Sequence, residues 1–137
     1  MEQVRSFEDI ECWKACTDFR EFIRVIIRKL PPEEKYELAR QMRRASRSIT
    51  NNIAEGYGRF HFKENAQSSR QSRGSLYELK DDLIIAFDEE YISETEYREG
   101  IQKFDKCILL LNGYINYLVK AETNKIKTSK VVDGQNH

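Results

Sequence analysis

Between residues 97 and 118 the chain places Tyr97, Ile101, Phe104, Ile108, Leu111, Ile115 and Leu118 at alternating spacings of four and three. An α-helix turns once in roughly 3.6 residues, so this spacing lays every one of those side chains along a single stripe. Such a stripe is a seam for near-parallel packing against other helices. A half-buried strand would alternate at every second residue, and no segment of the chain does so. Just ahead of the seam, Ser93-Glu94-Thr95-Glu96 reads as a capping box. In that motif the serine accepts from one orphan amide and the glutamate reaches back to another. The chain is thereby committed to a helical core, and the seam demands other helices to bury it.

Three further amphipathic segments supply them. Ser6 and Asp9 suit a helix start, and Ile10, Trp13, Thr17, Ile23, Ile27 and Leu30 trace an inward stripe widened by Phe19, Phe22 and Ile26. Pro31-Pro32 ends that helix, because proline removes a donor and disfavours helical geometry in the residue before it. With Glu33-Glu34 it also suits the first turn of a second helix, expected from about Pro32 to Glu55 with Tyr36, Ala39, Met42, Ala45, Ile49 and Ile53 inward. Thr50-Asn51-Asn52 is its weak point, where side chains compete for backbone hydrogen bonds and a kink or fraying is expected. Gly56 and Gly58 are expected to take positive φ where the helix stops. A third helix runs from near Phe62 to about Glu89. Its first half is polar, with Phe62, Ala66, Ser69 and Ser72/Arg73 at inward spacing and Gly74 expected at the closest helix–helix contact. Leu76, Leu79, Leu83, Ala86 and Phe87 then restore an apolar face. The four segments predict an all-α fold, an antiparallel up-down-up-down four-helix bundle over residues 1–122. From about Thr123 the periodicity fades, and residues 123–137 read as a disordered tail.

The 137 residues, 39% hydrophobic and 34% charged, suffice for one domain with a real core. No run approaches the roughly 18 apolar residues of a membrane span, and MEQVRSFEDIE lacks a signal-peptide core. Three cysteines make a poor disulfide framework, and with two histidines they show no metal-ligand spacing. These features point to a cytoplasmic protein without metal or cofactor.

A net charge of zero conceals two opposed blocks. Residues 40–73 hold eight basic side chains (Arg40, Arg43, Arg44, Arg47, Arg59, Lys63, Arg70, Arg73) against Glu55 and Glu64. Residues 78–99 hold nine acidic ones against Lys80 and Arg98. Guanidinium groups grip phosphate oxygens in a bidentate fork, and Arg40, Arg44 and Arg47 share one helical face. Arg59, Lys63, Arg70 and Arg73 would extend it if the third helix folds back alongside. About six engaged phosphates would give a log–log salt slope near −5 on duplex. The other reading is a solvated flank, or pairing between the blocks of neighbouring subunits.

No catalytic constellation accompanies the arginines. Asn52, Glu55 and Arg59 lie a turn apart, where Glu55 can pair with Arg59 to fix the corner, but no histidine or second carboxylate is placed to share its work. Arg73-Gly74-Ser75 lacks a nucleophile elbow and reads as a helix–helix contact, with Glu78 one turn on. Gly56-Tyr57-Gly58 lacks the ending of a phosphate loop, and His61 reads as a surface residue. Tyr57 and Phe60, beside Arg59, either stack on exposed bases or pack under the corner.

The signature Arg43-Arg44-Ala45, Ser48-Ile49, Asn52-Ile53-Ala54-Glu55-Gly56 and Gly58-Arg59, followed by Arg73-Gly74-Ser75 and Glu78-Leu79, resembles the small four-helix-bundle proteins encoded in intervening sequences of bacterial 23S ribosomal RNA genes. A related branch includes the accessory protein of diversity-generating retroelements, which works beside a reverse transcriptase. The resemblance spans roughly Phe7 to Leu118, and Thr50 stands where many members place a proline. It implies a homopentamer of bundles and nucleic-acid binding, to RNA or DNA, through basic surfaces. This chain, with a sequence pI near 6.7, is less basic than the strongly basic members.

Overall fold

The computed structural model describes residues 6–135, so the N-terminal stretch 1–5 and the last two residues of the expected tail lie outside it. Among the described residues there are four α-helices and no strand: α1 (Glu11–Lys29), α2 (Leu38–Gly58), α3 (Phe62–Asp88) and α4 (Glu94–Gln135).

Local chemistry sets their ends. Ser6 Oγ accepts from the Glu8 amide and caps a single 3₁₀ turn, Phe7–Asp9, so α1 itself begins later than Ser6 and Asp9 suggested. Leu30 is extended ahead of Pro31, as a residue before proline prefers. Pro32–Glu34 forms a second 3₁₀ turn rather than the start of α2. Glu37 leaves helical geometry at φ −114° and ψ −99°, and α2 starts at Leu38. Tyr36 consequently sits in the turn and is 73% exposed, not inward.

Beyond Leu38 the second helix is continuous. Thr50 Oγ1 donates to the Arg47 carbonyl at 3.3 Å and Asn52 Nδ2 to the Ser48 carbonyl at 2.9 Å. These polar side chains bond back along the helix instead of breaking it. Among the described residues no glycine has positive φ: the corner between α2 and α3 is turned by Phe60 at φ 60°, while Gly56 and Gly58 stay helical. Gly56 has a different task. A Cβ there would lie 2.6 Å from Asn65 Oδ1, so the missing side chain lets α3 approach α2. Gly74, expected at that contact, is exposed, with nothing within 4 Å of an added Cβ. The small residues that do meet α2 are serines: Ser72 Oγ donates to the Ile49 carbonyl at 2.7 Å, and Ser75 shares a 3.0 Å hydrogen bond with Ser48.

The α3 terminus carries a two-bond cap, Glu90 N–H to Phe87 O and Tyr91 N–H to Ala86 O, with Glu90 in the left-handed region. Ser93 and Glu96 then form the reciprocal capping box of α4, at 3.1 and 2.8 Å. From Thr123, where the periodicity fades, α4 continues as helix to Gln135 with residues 123–130 exposed.

Among the described residues the helices meet in the cyclic order α1–α2–α3–α4–α1, with no close backbone approach across the diagonals. In the α2–α3 and α1–α4 contacts, partner numbers rise on one helix as they fall on the other. Arg44 meets Glu78 where Ser48 meets Ser75, and Asp18 meets Lys103 where Lys29 meets Glu96. The shared core is built from Cys16, Phe19, Ile23 and Ile26 of α1, Met42, Ile49 and Ile53 of α2, Leu76, Leu79 and Leu83 of α3, and Phe104, Cys107 and Leu111 of α4. The buried stripe of α1 is thus rotated toward Cys12, Cys16 and Phe19, leaving Trp13, Thr17 and Ile27 half-buried. No helix among the described residues is long and apolar enough to cross a membrane.

Candidate polyanion-binding site

With Phe19, Ile23 and Ile26 committed to the core, α1 turns Arg20, Arg24 and Arg28 outward at i, i+4 and i+8. On α2, burial of Met42, Ala45 and Ile49 does the same for Arg43 and Arg47. The two rows face each other across a cleft of about 500 Å³ whose lining also includes Ser46 and Asn51. Glu21 is its single lining carboxylate and is ion-paired with Arg24 at 3.1 Å, between exposed side chains. Arg20 Nη1 donates to Thr50 Oγ1 at 2.7 Å, tying α1 to α2. On the far side of the α2 row, Arg40, Arg43, Arg44 and Arg47 line a second open cleft of about 490 Å³ with Ser48, Asn51 and Asn52. Arg44 leans toward Glu78 at 3.3 Å, an exposed pair of small energetic weight. Among the described residues Arg28, Arg40, Arg43 and Arg47 form no salt bridge.

The remaining basic residues do not extend this face. Arg59 is held by Glu55 at 2.8 Å, and that hydrogen bond raises its pKa. Lys63 and Arg70 line a cleft between α3 and α4. Arg73 is half-buried and donates to Asn112 Oδ1 on α4 at 2.9 Å. The expected run from Arg40 to Arg73 is therefore split, because α3 lays its serines, not its cations, against α2. In place of those residues stand Arg20, Arg24 and Arg28. Their four-residue spacing was visible in the sequence, but they lie outside the strongly biased block that drew the reading to residues 40–73.

The corner residues have structural partners. Asn52 Nδ2 also reaches Ser48 Oγ at 3.0 Å, and Gly58 is exposed. Cys12, Cys16 and Cys107 are free and buried. Burial pushes the Cys12 thiol up to about 12, and a hydrogen bond with Cys107 together with burial pushes Cys16 higher. Such thiols resist becoming the thiolates that nucleophiles and metal ligands require. Among the described residues no group of three or more His, Cys, Asp or Glu is placed to hold a metal ion. What the α1–α2 groove offers is fixed positive charge in forks suited to phosphate oxygens.

Residues 8–113 match a family model described as 23S rRNA-intervening sequence protein. No curated protein matches the chain.

Proposed function

The chain belongs to the family of 23S rRNA-intervening sequence proteins, and from that premise we propose that it is a non-enzymatic nucleic-acid-binding bundle. Its fold is an up-down-up-down antiparallel four-helix bundle, supported by the opposed numbering of the α2–α3 and α1–α4 contact pairs. It binds RNA, or another nucleic acid, through the arginines of the α1–α2 groove and the adjoining α2 row. It works in the cytoplasm as a homo-oligomer, a pentamer by resemblance, and serves as accessory to a larger nucleoprotein complex. A reverse transcriptase, as in the retroelement branch, is one such partner.

The observation that carries this reading is the convergence of Arg20, Arg24 and Arg28 with Arg43 and Arg47 around one cleft containing one carboxylate. Like charges so placed repel one another unless an anion sits between them. If about five phosphates are engaged, affinity for duplex falls with a log–log salt slope of about −4.5. The variant Arg28→Glu/Arg43→Glu/Arg47→Glu flattens that slope and lowers affinity while circular dichroism stays that of a folded helical protein. Binding indifferent to both salt and these reversals overturns the proposal.

A second reading is an interaction scaffold whose basic and acidic blocks pair between subunits. Exposed Leu109 and Tyr77, at 73% and 52%, favour it as apolar side chains suited to a subunit contact. On that reading the same reversals dissociate the oligomer, and the sedimentation mass falls.

A further inference from the structure

We propose that the aromatic pocket at the α2–α3 corner seats one unstacked nucleobase of a single-stranded nucleic acid, with Lys63 and Arg70 holding the neighbouring phosphates. The pocket, about 280 Å³, lies between that corner and α4. Tyr57, Phe60, His61 and Phe62 contribute from the corner, and Tyr114 and Tyr117 from α4. Phe60 is the telling residue. It is 84% exposed and held at φ 60°, where a bulky side chain is a rare outlier. Local strain that keeps a large apolar ring in water marks a site with a task other than packing.

The geometry suits a flat π ligand. Tyr57 and Phe60 lie 6.4 Å apart on one side, and Tyr114 and Tyr117 lie nearly parallel at 6.5 Å on the other. Between them Asn65 Nδ2 donates to the Tyr114 hydroxyl at 2.9 Å. That hydroxyl therefore keeps its own proton for an acceptor on the edge of a base, and burial, which raises its pKa, favours the protonated form.

Charge selects among aromatic-seeking ligands. A quaternary ammonium would want an acidic rim. Here the adjoining cleft of about 360 Å³ shares Phe62 and Leu118 with the pocket and is lined by Lys63 and Arg70, with Glu122 as its carboxylate. A base with its phosphates alongside fits both halves, and rings that stack on any base are the usual means of holding single strands. The α1–α2 groove shares no lining residue with this pocket, so this is a separate site.

The phosphate half rests on the reading of the protein as a nucleic-acid binder; the base pocket is testable without it, using adenosine, which carries no charge. Titrated into the full chain, adenosine shifts the NMR ring resonances of Tyr57, Phe60 and Tyr117 together. Phe60→Gly keeps the fold, since glycine tolerates positive φ, yet loses those shifts. The same variant weakens single-stranded oligo(A) binding about 5- to 150-fold, the loss expected of one base–aromatic stack, and leaves duplex binding unchanged. Shifts that scatter over the surface or persist in Phe60→Gly/Tyr117→Ala overturn the proposal. So does a fall in sedimentation mass with Phe60→Gly, which assigns the face to a subunit contact. Failure of the groove arginines to bind duplex leaves the adenosine result standing.

Discussion

Asp82 carries the least comfortable side chain of the described core. It is 3% exposed on α3, and its Oδ2 has no hydrogen-bond partner. Burial, then the neighbouring Glu78 and Asp81, push its pKa up to about 7, against the opposing pull of Arg44. Below about pH 4 the carboxyl is protonated whether folded or not. Between about pH 4 and pH 7 the unfolded chain releases the proton and the folded chain keeps it, so stability falls across that window and levels off above it. Asp82→Asn removes this slope and raises stability at pH 8 by on the order of 2 kcal/mol, measurable as a higher urea midpoint with unchanged m-value. The glycines give a second contrast. Gly56→Ala sets a Cβ against Asn65 Oδ1 and the Asn65 carbonyl, at 2.6 and 3.1 Å, and costs about 1–3 kcal/mol. Gly74→Ala meets nothing and gains about 0.5–1 kcal/mol by stiffening the unfolded chain. By sequence Gly74 is expected at the close contact and Gly56 at a helix stop; the approach of α3 places the contact at Gly56 instead.

At the level of elements, helix type and the α4 seam were legible because 3.6-residue periodicity leaves its record in the residues themselves. Phe104, Leu111, Ile115 and Leu118 are buried as that spacing requires, while Tyr97, Ile101 and Ile108 are half-buried and Cys107 joins the core beside them. Termini were less legible. The start of α2 depended on Glu37 leaving helical geometry after a 3₁₀ turn, a backbone choice with no residue-level signature. The basic face was misassembled for a related reason: which arginines meet depends on the rotation of α3 about its own axis, and buried Ser69 and Ser72 are too weakly apolar to announce it. The capping box, by contrast, is written in four consecutive residues. Ser93→Ala leaves the Glu96 amide without its acceptor and costs about 1 kcal/mol, read as a lower thermal midpoint. Glu96 also takes Lys29 of α1, and with the Ser93 amide that contact lowers its pKa. Glu96→Ala therefore loosens both the α4 start and its tie to α1, and destabilises by more than Ser93→Ala.

Across the whole molecule the helices are unequal. At about 1.5 Å per residue α1 spans about 28 Å and α4 about 63 Å, so α4 must outrun the core it helps to build. Among its residues with described side chains Leu118 is the last fully buried, Ala121 and Glu122 are half-buried, and Thr123 through Lys130 are exposed. A chain ending at Glu122 therefore loses none of the described core side chains, and its thermal midpoint stays within about 2 °C of the full chain's, less than the shift a single kcal/mol produces. A chain ending at Tyr114 loses Ile115 and Leu118, two buried side chains at about 2–5 kcal/mol each if truncated, and fails to melt cooperatively. The shorter cut also divides the two binding faces. Thr123 and Ile126 line the cleft of Lys63 and Arg70 but not the α1–α2 groove. Ending at Glu122 therefore weakens single-stranded oligo(A) while leaving the duplex salt slope as it was. Equal losses on both ligands would place the two faces in one continuous site.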